Sequence, residues 1–290
     1  MGLVAGLALP ALAEPMRAYL PHLVVLLLFV TVLRMEPSAI IGSLADLPRV
    51  ALAILGLQLV LPLIVLALGY AGGWFGTPVL LALLIFAAGP SISGSPNLCM
   101  MMGYPPDHAM RLMVVGTALL PLTVLPVFWL LPELGGIAEV LWSAGKLLLT
   151  ISLTTLAAVA VRLSMLRNPS RNTLTSLEGL SAITLAIFVV GLMPSVSAVA
   201  LVDPMRALFW IAFACAANFG MQLIAFRLTV HRFSRPAATA VSLIAGNRNI
   251  ALFFVSLPPD VTAPIMVFIG AYQIPMYLTP LVMKALYRKA

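Results

Sequence analysis

Polar residues divide the chain into a succession of apolar runs, and the lengths of those runs predict its architecture. A helix needs roughly 20 apolar residues to cross a bilayer. Runs near that length recur from end to end, at 1–13, 20–34, 48–69, 78–102, 108–131, 138–163, 174–193, 204–228, 236–258 and 263–287. The pattern predicts an all-α membrane protein of ten transmembrane helices, with connections too short to hold an inserted soluble domain. The first run, MGLVAGLALPALAEP, reads as a short span. Its ALA before Glu14 resembles a signal-peptidase site, but no positive n-region precedes it.

Composition agrees with this pattern. Hydrophobic residues make up 62% of the 290 and charged residues 9%, against about 25% charged in an ordinary soluble domain. The net charge of +7 is therefore not a nucleic-acid signal, because the bases sit between the spans. Even-numbered connections and the C-terminal end hold twelve (Arg34, Arg49, Arg111, Arg162, Arg167, Arg171, Arg227, Arg232, Arg235, Lys284, Arg288 and Lys289). Odd-numbered connections hold three, Arg17, Lys146 and Arg206. The positive-inside rule then places both termini in the cytoplasm. Trp74, Trp129 and Trp142 fall near the opposite interface, where amphipathic rings anchor. Cys99 and Cys215 are isolated and read as small buried hydrophobes rather than a disulfide.

Two spans are interrupted. The fourth reads LLIFAAGPSISGSPNLCMMMGY, with Gly89, Pro90, Gly94 and Pro96 within eight residues. Proline removes an amide donor and clashes with the preceding turn, so the helix is expected to break there. Non-helical backbone at membrane depth persists only where protein or a wet cavity satisfies its polar groups. The ninth contains AGNRN, in which Gly246 and two asparagines flank Arg248. Breaks at matching positions of two halves point to a transporter site. Residues 1–135 and 136–290 are then two five-helix repeats, inverted because each holds an odd number of spans. Discontinuous helices 4 and 9 cross between them.

Several stretches resemble the bile acid:sodium symporter family, within the wider group that includes arsenite permeases and auxin-efflux-type carriers. YLPHLVVLLLFVTVLRMEPS is similar to that family's second span and LGLQLVLPLIVLALG to its third. GPSISGSPN resembles its first crossover segment, AANFGMQ its eighth-span segment, and AGNRN stands where the family carries Glu-x-Gly-x-Gln-Asn. The resemblance covers nearly the whole chain and is to a divergent, bacterial-type member, which implies an inner (plasma) membrane location. It implies a panel domain of spans 1–2 (1–34) and 6–7 (138–193), and a core domain of spans 3–5 (48–131) and 8–10 (204–287). It also implies alternating access and organic-anion substrates such as bile acids, sulfated steroids and small carboxylates. The partners are then the anion and the lipid bilayer, and the short loops are compatible with a monomer.

Sodium-coupled relatives imply a cation site for which Gln58, Asn97, Thr117 and Asn249 match ligand positions. Na⁺ as a bound ion is opposed by two departures: Ile244 stands at the family's carboxylate and Arg248 at a neighbouring glutamine. Pro96 replaces a serine. A fixed guanidinium repels a sodium ion by roughly 4 kcal/mol at 4 Å in a medium of effective dielectric near 20. The expectation is a secondary carrier with sodium coupling weakened or absent. The alternatives are a sodium-coupled symporter or a non-transporting membrane receptor or scaffold.

Arg248 has three open roles: contact with the substrate anion, replacement of a cation, or bracing of the unwound backbone. A charge at the bilayer centre costs ~2.5–3.5 kcal/mol on insertion scales and is a functional candidate for that reason. Asn218 and Gln222 share one face of the eighth span and either line a cavity or bond between helices, and Gln273 carries the same ambiguity. Thr123 and Thr117 also have the option of bonding their own backbone. His22, His108, His231, Glu178 and Asp203 read as span-edge residues, and Met100–Met102 as soft packing. An enzyme is disfavoured, since HExxH, GxSxG and acid pairs are missing from the sequence. No repeated filter motif points to a channel. Cys99 beside the break keeps an arsenite-type reading open.

Overall fold

The computed structural model describes residues 10–36 and 46–288, together with Gly6 and Gly42. Most of the first predicted span lies outside those residues. The described chain is helical throughout, without a β-strand. The helices are α1 Pro10–Arg17, α2 Leu20–Arg34, α3 Leu47–Ala71, α4 Pro78–Ala88, α5 Ser95–Met101 and α6 Asp107–Trp129. They continue with α7 Ile137–Ser164, α8 Arg171–Val202, α9 Pro204–Thr229, α10 Arg235–Gly246 and α11 Pro259–Arg288. Six of them (α3, α6, α7, α8, α9 and α11) are long and apolar enough to cross a membrane. Leu52, Ile64 and Leu68 on α3, and Leu141, Leu148 and Leu156 on α7, are exposed. Apolar surface of that extent is what a bilayer covers.

Two of the apolar runs break into separate segments. The fourth apolar run becomes α4 and α5, separated by 89–94. Thr77 caps α4 by accepting from the Leu80 amide. The ninth becomes α10 and a 3-10 segment, Ile250–Val255, separated by Asn247–Asn249. By contrast the seventh span, expected to end at 193, continues through Pro194 to Val202. A proline in a membrane helix is tolerated where neighbouring helices accommodate the freed carbonyl, and Pro194 is buried among such neighbours.

α2 lies against α7 and α8, and α8 also packs on α1 and α11. α9 packs on α10 and α11, while α6 contacts α3, α5 and α10. At Gly246, where α10 meets α9, a Cβ would collide with the Asn218 carbonyl and the Gln222 side chain. Only glycine allows the last turn of α10 to come so close to the α9 backbone.

Candidate functional site

The two chain breaks meet. Ser91 and Arg248 form an antiparallel bridge. The Asn249 amide donates to the Pro90 carbonyl at 2.7 Å, and the Ile92 amide to the Asn247 carbonyl at 3.2 Å. Each unwound segment thus supplies partners for the backbone groups that the other loses by leaving the helix, as burial demands. Gly89 permits the approach: a Cβ there would sit 3.3 Å from Cβ of Arg248. Gly94 precedes α5 as its cap and Pro96 occupies its first turn.

The remaining orphan carbonyls converge on one side chain. Arg248 is 1% exposed. Its Nε donates to the Ala245 carbonyl at 3.1 Å, Nη1 to Gly89 at 3.0 Å and Nη2 to Leu57 at 3.2 Å. Gly89 and Ala245 stand at the C-terminal ends of α4 and α10, where helix dipoles leave partial negative charge. The Leu57 carbonyl has a different origin. α3 widens into a π-turn over Gly56–Val60, closed by the Leu61 amide on the Gly56 carbonyl. The next bond in that register would come from residue 62, which is proline and has no N–H. Leu57 therefore keeps a free carbonyl, and Arg248 supplies the donor.

Tyr272 on α11 completes the joint. Its hydroxyl accepts from the Arg248 amide at 2.7 Å and donates to the Gly246 carbonyl. Tyr272→Phe leaves one buried amide without its acceptor and one carbonyl short of a donor. The expected loss is about 1–3 kcal/mol, read as a lower thermal midpoint of the purified protein in detergent.

Behind the crossing lies a closed polar network. Asn218 Nδ2 donates to the Gly246 carbonyl at 2.6 Å, and Gln222 Nε2 donates to Asn218 Oδ1 at 2.6 Å. Thr279, Asn247, Ser242 and Tyr287 extend it. Asn218 and Gln222 are fully buried and bond between helices, away from the cavity described below. Gln58 is also fully buried, on the π-turn of α3. Its Oε1 accepts from Thr123 at 3.3 Å, while its Nε2 faces Gly116 without a partner. The hydroxyl brought to Gln58 is thus that of Thr123, while Thr117 is half-buried on α6. Ile244 packs in an apolar cluster with Ile54, Leu112 and Val115. Cys99 and Cys215 are free.

In front of the crossing is a cavity of about 470 Å³. One wall is α2 and α8, with Val24, Leu27, Leu28, Thr31 and Arg34 facing Glu178, Ser181, Ala182, Leu185 and Phe188. The other wall joins both breaks to α11, through Asn97, Asn249, Ile250, Gln273 and Met276. Gln273 Oε1 is buried without a partner. From Val24 to Arg34 the α2 wall runs roughly 15 Å at 1.5 Å per residue. At that end Arg34 Nη2 and Glu178 Oε1 pair at 2.9 Å, both partly exposed. Of the substrate-site candidates, Asn97, Asn249, Gln273 and Arg248 line this cavity and Asn218 does not. Tyr272, the Leu57 carbonyl and the pairing of Arg34 with Glu178 are additions that the residue pattern did not single out, and Thr123 bonds its own backbone at Leu120 as well as Gln58.

No protein-family model matches the chain, and no curated protein matches it.

Proposed function

We propose that this protein is a secondary carrier that moves an organic anion with an apolar body across the membrane by alternating access. The observation that carries this reading is the cavity whose wall contains both chain breaks. Helix interruptions at mid-span serve a transported solute by turning backbone and amide groups toward it. Here Asn97, Asn249 and Gln273 offer amides, and the Arg34–Glu178 ion pair stands at the open end, where an anion shares the Arg34 guanidinium. The long apolar face of Leu27, Leu28, Leu185, Phe188 and Met276 fits a hydrophobic body.

In this reading the chain is ten spans in two inverted five-helix repeats. α4–α5 is the fourth span, and α10 with its 3-10 segment is the ninth. α1, α2, α7 and α8 form the panel, and the remaining helices form the core that moves against it. The cavity lies between the two, and the partly exposed Arg34–Glu178 pair stands at its cytoplasmic end, which makes the state inward-facing in this reading. It is the arrangement that the resemblance to the bile acid:sodium symporter family implies.

The test is ligand stabilisation. The purified protein is heated in the presence of taurocholate, a steroid sulfate or pantoate. At saturation one of them is expected to raise the midpoint by on the order of 5 °C. An equal rise with the uncharged steroid alcohol, or no rise with any anion, overturns the proposal.

A further inference from the structure

The crossing point holds a full positive charge that is part of the chain. Arg248 draws together three carbonyls from three elements: Leu57 in the π-turn of α3, Gly89 at the end of α4 and Ala245 at the end of α10. Carbonyls converging from broken helix ends are the surroundings in which a carrier holds a coupling cation. A guanidinium remains protonated in proteins, so this cation neither binds nor leaves during a cycle. Two of the positions that the cation-site resemblance names offer no second attraction for one: Ile244 is packed in an apolar cluster, and the Nε2 of Gln58 presents N–H groups toward Gly116. The acidic side chain that lines the cavity, Glu178, is held by Arg34 at 2.9 Å.

Building on the carrier reading, we infer that transport needs no coupling cation, that each cycle moves only the charge of the anion, and that the membrane potential therefore drives net export. The charge count is direct. One anion crosses with the core, Arg248 crosses with it, and Arg248 returns with the empty core, so one negative charge is transferred per turnover. A potential that is negative inside expels that anion. At equilibrium a monovalent anion is concentrated roughly 50-fold on the outside per 100 mV, which is the equivalent of about 2.3 kcal/mol.

Proteoliposomes containing potassium gradients and valinomycin test this with taurocholate, the steroid sulfate and pantoate in choline medium. Uptake is expected to rise at least tenfold when the vesicle interior is made positive, and to be unchanged when sodium replaces choline. Uptake that requires a sodium or proton gradient, or that ignores the potential, overturns the inference while leaving the carrier reading standing. Lack of uptake of all three under every gradient removes both. A measurement independent of substrate accompanies it, the thermal midpoint of the wild-type protein in sodium and in choline. The two are expected to agree, and a rise specific to sodium overturns the inference by itself.

Discussion

Arg248→Met is expected to lower the unfolding free energy by about 3–5 kcal/mol, the cost of three carbonyls left without a donor less the relief of a buried charge. Methionine preserves much of the side-chain length and removes every donor. Three carbonyls then lose their hydrogen bonds in a region where water does not replace them, at about 1–3 kcal/mol each. Relief of the buried charge offsets part of that sum. The cost is not confined to one helix, because the acceptors belong to α3, α4 and α10, and their alignment defines the crossing. Arg248→Lys is expected to fall between wild type and the methionine variant. A single ammonium cannot reproduce the planar fork that serves three separate acceptors. Thermal or denaturant unfolding in detergent reads the effect. A methionine variant within about 1 kcal/mol of wild type would mean that the crossing is held by its backbone bridge and not by the guanidinium.

How much of this joint was legible beforehand differs by residue type. The first break is visible because Gly89, Pro90, Gly94 and Pro96 carry their backbone constraints in the sequence, and the second because Gly246 and two asparagines surround a charge at Asn247–Asn249. Arg248 was visible because a charge in an apolar run is rare. Its partners were not, since a main-chain carbonyl has no signature of its own. Leu57 accepts only because a π-turn puts its expected donor at Pro62, and a proline in the span shows nothing of that register. The same blindness applies across helices. Thr117 and Thr123 are equivalent as letters, and only the rotation of α6 against α3 brings the second to Gln58. Arg34 reads as a connection base and Glu178 as a span-edge residue, which each is locally. Their pairing across the cavity mouth depends on α2 lying beside α8, a contact between residues 144 positions apart. The seventh run, expected to end at 193, continues through Pro194, because surrounding helices accommodate a proline that would end a helix in water.

Ala182→Trp is expected to abolish anion binding with little effect on stability. Ala182 lies on α8 one turn beyond Glu178 and lines the cavity with its small side chain exposed. An indole there projects into open space, so the fold loses no packing, and the change in stability is expected to stay within about 0.5 kcal/mol. The ligand does lose room. A tryptophan side chain covers about 150–250 Å² of surface, enough to fill the passage between α8 and the wall formed by Asn97, Asn249 and Gln273. Affinity is expected to fall by at least tenfold, about 1.4 kcal/mol. The control is Ile183→Trp on the next residue of the same helix. Ile183 is exposed and does not line the cavity, so it adds an indole of the same size to a face turned about 100° away. Titration of the stabilising anion by thermal shift separates the two. Loss in the first variant with wild-type affinity in the second places the ligand between α2, α8 and the crossing. Equal affinity in both would place it elsewhere on the protein.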